Sequence, residues 1–332
     1  MQTINKTVTP GYLSSLTLLR AIAVLLVCFF HVLSKELFSE KNIFHFFSNY
    51  GYVGLDMFFI ISGFVIPYSM YKGGYAYKSF PKYLLKRIIR LEPPYLASIL
   101  MILFLRFVSA RLGGFDYSID SIDWVQVALH FGYLNQYFGY EPFNVVYWTL
   151  AIELQFYLLM GLTFPLIVHK RKIFAWLILF LFGYLGWSLN LHYNWFIFQY
   201  GFMFINGIIL FLYKTKQINV QCFVAALIVI FFLVWIKNPV EVAGTCIFTS
   251  TVILFLNKEW KATNFLGKIS YSLYLTHTET AGYFIVWMGE TITNIYTLRI
   301  SALIVAFIIA CLFYKFIEQP SLNLSKKIRY SF

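Results

Sequence analysis

Ten apolar runs follow one another along the chain, near residues 13–33, 51–70, 94–111, 146–168, 173–189, 195–213, 220–236, 242–257, 269–288 and 298–317. A helix needs about 20 consecutive apolar residues to cross the hydrocarbon core of a bilayer, and its backbone polar groups must be satisfied internally there. Runs of this length and number predict an all-α fold, a polytopic integral membrane helix bundle of about ten transmembrane helices. Only 40 of 332 residues are charged, 26 Lys and Arg against 14 Asp and Glu, which is about half the share usual in soluble domains. Mean hydropathy is +0.71. Such a chain is neither disordered nor an ordinary soluble enzyme, because it has too little polar surface to cover a globule of this size. It reads as one domain, 1–332, without internal repeats. The first run is not expected to be a cleaved signal peptide, since it is long, carries Arg20 in its interior and is followed by no A-x-A-like site.

The net charge of +12 does not indicate nucleic acid, because membrane proteins gather Lys and Arg in cytoplasmic loops. With the N-terminus inside, the alternating connections place 19 Lys and Arg inside and 6 outside, with Arg20 within the membrane. Both termini are therefore expected in the cytoplasm. Cys28, Cys222, Cys246 and Cys311 all lie in apolar runs with no CxxC pair, and read as small buried hydrophobes. No HExxH, histidine cluster or pair of acids at ligand spacing is present, and His45, His169 and His192 lie in expected loops. No metal is expected.

Two connections are more than passive. Residues 78–92 (KSFPKYLLKRIIRLE) interleave Leu84, Leu85, Ile88, Ile89 and Leu91 with Lys82, Lys86, Arg87 and Arg90. This pattern fits a surface helix anchored to anionic membrane lipid, a dock for an anionic cytosolic ligand, or both. Residues 123–139 are too short and polar to span and read as an interfacial or re-entrant piece on the outer side.

Ionisable residues at membrane depth cost about 2.5–3.5 kcal/mol on insertion scales and are functional candidates by default. Arg20, Asp56, Glu153, His277 and Glu279 fall there, with His31 near the outer end of the first run. Arg20 and His31 are eleven positions apart, 20° past three full turns. They share one helix face and lie about 16 Å apart along the axis. Asp56 and Glu153 enter from the outside, one to two turns deep, so three helices are expected to bring His31, Asp56 and Glu153 to one level. A His beside carboxylates is oriented as a general base, although the same three can form a polar knot between helices. Thr149, Glu153 and Tyr157 form one polar stripe at i, i+4 and i+8. His277 shares a face with Tyr274, as a site-lining pair or as packed side chains.

Six segments, LRAIAVLLVCFFHV, GYVGLDMFFIISGFVIP, KRIIRLEPPY, YWTLAIELQFYLL, SYSLYLTH and IEQP (317–320), occur in the order seen in the acyltransferase 3 family of integral membrane acyltransferases. The chain resembles that family over nearly its whole length. The resemblance implies transfer of an acyl group, commonly acetyl from acetyl-CoA as co-substrate, to a hydroxyl of an exported or envelope saccharide or glycolipid, in a bacterial cytoplasmic membrane. It marks Arg20 and His31 as an essential pair and Arg87 with Arg90 as a second motif. Leu154 stands where many members carry a second acid, and Lys268 where an Arg is common, so Glu153 acts alone.

These readings assemble into one mechanism. Lys82, Lys86, Arg87 and Arg90 hold the donor's phosphates at the inner face, and Arg20 lies along its arm. His31 takes the proton of the acceptor hydroxyl, with Glu153 or Asp56 orienting it. Trp148, Tyr157, Tyr274 and His277 line the site. A covalent acyl relay through the protein stays open. The rival is a transporter or flippase for a lipid-linked sugar, whose proton relay would use the same residue types.

Overall fold

The computed structural model describes residues 11–33, 43–112, 122–189, 196–256, 258 and 260–330, with side chains from residue 14 onward. Of the residues in the Lys and Arg count, Lys6, Lys35 and Lys41 lie outside the described residues, as do the acids Glu36, Glu40, Asp116 and Asp120 and the loop histidine His192.

Among the described residues the chain is helical and has no strand. The helices are α1 (Gly11–Val32), α2 (Ile43–Tyr50), α3 (Val53–Lys72), α4 (Phe80–Leu112), α5 (Trp124–Leu129), α6 (Trp148–Ile167), α7 (Ile173–Ser188), α8 (Gly201–Lys214), α9 (Val220–Lys237), α10 (Val240–Phe255), α11 (Lys261–Met288), α12 (Ile295–Phe313) and α13 (Gln319–Lys327). Each of the ten apolar runs falls on one of them. Among the described residues, seven helical stretches are long and apolar enough to cross a membrane: α1, α3, α4, α6, α8 with the turn before it, α9, and α12 continued through α13. Helices α7 and α10 are apolar but shorter. His45, expected in a loop, sits in α2.

Close backbone contact fixes the centre of the bundle. A Cβ on Gly54 would meet Ala23 O of α1 at 2.4 Å, one on Gly207 would meet Ile60 O of α3 at 2.2 Å, and one on Gly267 would meet Thr17 O of α1 at 2.2 Å. Small residues let helices approach where the surrounding lipid gives no hydrophobic drive. Helices α1 and α11 run one way and α3 and α6 the other. Thr17, Gly267 and Lys268 thus share a lysine-rich end, while His31, Trp148 and His277 lie towards the opposite, histidine end.

Two sequence readings change. The segment 78–92 is not a connection: it continues with 94–111 as the single 33-residue helix α4, despite Pro93 and Pro94 inside it. Those prolines have no N–H for Ile89 O and Arg90 O. The Ser321 hydroxyl of α13 donates to Ile89 O, with Arg90 O 3.2 Å from the same oxygen. Cys222 is exposed rather than buried and Cys311 is half-buried, whereas Cys28 and Cys246 are buried. Cys222 lies on a face of α9 that borders an apolar groove between α7, α8 and α9.

The segment 123–139 folds as α5 and a 3-10 turn, Asn135–Phe138. Asp123 caps α5, accepting from Val125 N at 2.8 Å. The buried His130 ring stacks on Phe143 at 4.5 Å. Its Nδ1 lies 2.7 Å from Gln126 O and its Nε2 accepts from Phe143 N at 3.1 Å. Asn144 then ties the entry of α6 to α11: its Nδ2 donates to Leu275 O at 3.2 Å, and its Oδ1 accepts from Thr278 Oγ1 at 2.8 Å.

Candidate active site

Two cavities lie one beyond the other in the bundle. The inner one, about 290 Å³, is walled by α1, α3, α4, α6, α11 and the α12–α13 junction. Arg20, Arg90, Glu153 and Glu318 are on its wall, with Lys268 and Lys326 at its lysine-rich end. Both lysines are exposed. The outer cavity, about 90 Å³, is bordered by Val27, Phe30, His31, Tyr52, Leu55, Val146, Trp148, Thr149 and Tyr274. Leu55, Thr149 and Tyr274 border both. The Thr149 and Tyr274 hydroxyls are hydrogen-bonded at 2.7 Å, so this pair forms a partition between the cavities. A larger groove of about 700 Å³ among α7, α8 and α9 has no charged side chain on its walls, which makes it a poor place for acid–base chemistry.

Arg20 and His31 stand on the same continuous helix, one on the wall of each cavity. The expected meeting of His31 with Asp56 and Glu153 does not occur. Glu153 lies one turn beyond Thr149 along α6, on the wall of the inner cavity beside Arg20 and Arg90, and accepts a hydrogen bond from the Tyr157 hydroxyl. Asp56 is buried and borders neither cavity. The reason is depth. His31 is the penultimate residue of α1, whereas Glu153 lies five positions past the start of α6, about 7 Å farther in. The group that meets His31 is His277, whose Nε2 lies 3.2 Å from His31 Nδ1.

The basic residues of α4 also separate. Arg90 is on the inner cavity wall. Arg87 is only 4% exposed and packs over the rings of Tyr83 and Tyr157, 5.6 and 5.4 Å from their centroids. Its Nε and Nη2 have no hydrogen-bond partner among the described residues. Lys86 Nζ donates to Ile328 O at 3.1 Å and lies 5.2 Å from the Tyr330 ring centroid, which ties it to the segment after α13. Lys82 is half-buried. Trp148 and Tyr274 line the outer cavity, and Tyr157 backs Glu153.

Glu318 was missed in the sequence because the last apolar run was taken to end at 317. It closes a π-helical turn, Tyr314–Glu318, that joins α12 to α13. Such turns frequently mark functional positions. Its Oε2 accepts from Ser272 N at 3.0 Å and from Ser272 Oγ at 2.5 Å. The IEQP segment was the available signal.

A family profile described as an acyltransferase domain matches residues 13–315, most of the chain. The chain belongs to the acyltransferase 3 family. Among curated proteins it is similar to the O-acetyltransferase OatA of Staphylococcus aureus, strains NCTC 8325 / PS 47 and COL. It is 29% identical to each over 178 residues, covering 51% of this chain and 27% of the relative. The chain thus aligns with about a quarter of the length of those relatives. No solved structure matches it. The family match spans Arg20, His31, Arg90, Glu153 and His277 and ends three residues before Glu318.

Proposed function

We propose that this acyltransferase 3 protein is a membrane O-acyltransferase that moves an acyl group, acetyl first among them, from acyl-CoA to a hydroxyl of a saccharide or glycolipid. The observation that carries this reading is the pair of cavities meeting at Leu55, Thr149 and Tyr274, one walled by charges and the other by His31. Arg20, Arg90, Lys268 and Lys326 outnumber Glu153 and Glu318 by four to two around the inner cavity, a balance suited to a polyanionic donor. The excess of Lys and Arg on that side of the chain, 19 to 6, supports a cytoplasmic inner mouth, where acyl-CoA is found, and an acceptor arriving from the other face. Lys82, Lys86 and Arg87 add positive potential from outside the cavity wall.

In the direct reaction His31 takes the acceptor's hydroxyl proton. The oxygen forms a bond to the thioester carbonyl carbon, the carbon–sulfur bond breaks, and the proton passes to the departing CoA thiolate. Arg20 lies about 16 Å from His31 along α1, and its role is donor binding. The thioester reaches His31 when the Thr149–Tyr274 pair parts.

The test pairs calorimetry of coenzyme A on the purified protein with mass spectrometry of surface glycans from cells with and without it. Coenzyme A binding together with an ester mass lost on deletion is the expected result. No coenzyme A binding, with unchanged glycan masses, would overturn the reading in favour of a transporter.

A further inference from the structure

The geometry points to His277 as the positioning residue for His31: its bare Nε2 shares the His31 Nδ1 hydrogen with Val27 O, and the two acceptors together fix the His31 tautomer with Nε2 free to act as the base. The inference rests on the acyl-transfer reading above and assigns a role that reading does not need.

The argument follows from where each nitrogen sits. His277 is fully buried on α11. Its Nδ1 lies 3.0 Å from Leu273 O and 2.9 Å from Tyr274 O. Carbonyl oxygens only accept, so Nδ1 carries the hydrogen, and in a neutral imidazole Nε2 then carries a lone pair. That lone pair faces His31 Nδ1 at 3.2 Å. His31 Nδ1 also lies 3.0 Å from Val27 O. With two acceptors on one side of its ring, His31 places its hydrogen on Nδ1 and leaves Nε2 bare on the far side. A metal-free base usually has this tautomer set by a carboxylate. Here the nearest carboxylates of the expected trio, Asp56 and Glu153, border other parts of the bundle, and a neutral imidazole backed by two carbonyls takes that place.

The arrangement also serves the charged form. When His31 gains a proton at Nε2, its Nδ1–H still points at the His277 lone pair. The positive charge is thus met by an acceptor and, one ring farther, by the Leu273 and Tyr274 carbonyls. The entry of α6 is fastened to the same stretch of α11 through Asn144, Leu275 and Thr278, so the pair sits on a rigid support.

The test uses His277→Phe, which keeps a ring and removes the acceptor, and His277→Gln, whose amide oxygen can accept from His31 while its NH2 faces the carbonyls. Acyl transfer, acyl-CoA KM and coenzyme A binding are measured on the full chain in detergent or liposomes, alongside nitrogen-15 histidine spectra assigned with a His31 variant. The expected result is at least a 100-fold fall in kcat for His277→Phe with KM within about threefold of wild type, and recovery to within tenfold for His277→Gln. In the wild type the bare nitrogen of His31 is Nε2. A wild-type spectrum with the proton on Nε2 overturns the inference, as does near-normal kcat in His277→Phe. If His277→Phe does not fold, judged by lost coenzyme A binding, His277→Gln and the wild-type spectrum decide. Undiminished transfer by His31→Ala would instead remove the underlying assignment of the base, and this inference with it.

Discussion

The two ends of one face of α1 are built on different principles. Around Arg20 the cavity wall is charged, with Arg90, Glu153 and Glu318 on three further helical segments and exposed lysines at the mouth. Around His31 the cavity is smaller, its walls are aromatic and aliphatic, and the polar atoms facing His31 are neutral. A charged wall holds a polyanion whatever its exact pose, since Coulomb attraction is long-ranged and forgiving. A neutral imidazole pair does little for affinity but places a lone pair in one direction. On the proposed function binding belongs to one end and proton transfer to the other, and changes at either end should separate those two quantities.

The largest separation is expected from His31→Ala. Loss of a general base costs roughly 100- to 10,000-fold in rate, while coenzyme A affinity should stay within about twofold because the inner wall is untouched. Calorimetry and product ester measured on the same preparation test this. Affinity falling in step with rate would erase the distinction between the ends.

Arg20→Ala should do the reverse. A lost hydrogen bond to a charged group is worth about 1.5–3 kcal/mol, so donor affinity should fall roughly 10- to 100-fold. Arg20→Lys should recover little, because an ammonium lacks the guanidinium fork. Arg90→Ala should also weaken binding, by an amount that shrinks as salt screens the phosphates. Arg87→Ala should instead act mainly on stability, since Arg87 is packed between two tyrosine rings off the cavity wall. Equal, salt-sensitive losses of affinity for Arg87→Ala and Arg90→Ala would show that both reach the donor.

How much of this arrangement can be read in the chain depends on range. Arg20 and His31 belong to one helix, so counting turns is enough to place them. The His31 partner is 246 positions away, and no periodicity reports it. Glu153 was placed at the wrong level because sequence gives the depth of each residue only within its own helix, and a difference of five positions moves a side chain a full cavity inward. The boundary drawn between 78–92 and 94–111 falls at Pro93 and Pro94, where the hydroxyl that meets the two orphaned carbonyls comes from Ser321, some 230 residues later. Glu318 was hidden by a boundary drawn one residue short. The helices themselves were legible because each apolar run carries its own signal, whereas the site is assembled from single polar residues on separate runs.

Ser321 offers a sharper test of the charged end alone. Ser321→Ala leaves Ile89 O and Arg90 O without this donor, at a cost of about 1–3 kcal/mol. The change falls on the turn of α4 that carries Arg90. Thermal unfolding in detergent should shift downward, and donor affinity should weaken by a small factor. The rate at saturating donor should hold, because His31 and His277 are remote from that turn. A drop in the saturated rate would mean that the two ends are mechanically coupled.

The smallest effect is expected from pH, at the segment 123–147 that Asn144 ties to α11 on either side of His277. His130 lies outside the membrane-crossing helices, and burial holds its pKa below the usual histidine value. The nearby Arg106 charge acts in the same direction and the Gln126 carbonyl opposes it. A histidine with a depressed folded pKa binds fewer protons folded than unfolded. Its contribution to stability is therefore present above the unfolded value of about 6.5 and is lost as pH falls through the folded value. The structural cause is visible: Nε2 accepts the Phe143 N–H, and a proton added there turns that acceptor into a second donor. Hydrogen exchange of residues 123–147 should therefore quicken as pH is lowered below about 6, beyond the intrinsic pH dependence of exchange, while the segment around Arg90 changes less. His130→Asn, which keeps an acceptor but cannot be protonated, should flatten that difference. An unaltered pH dependence in His130→Asn would assign the loosening to another group and leave the two ends alike in their response to acid.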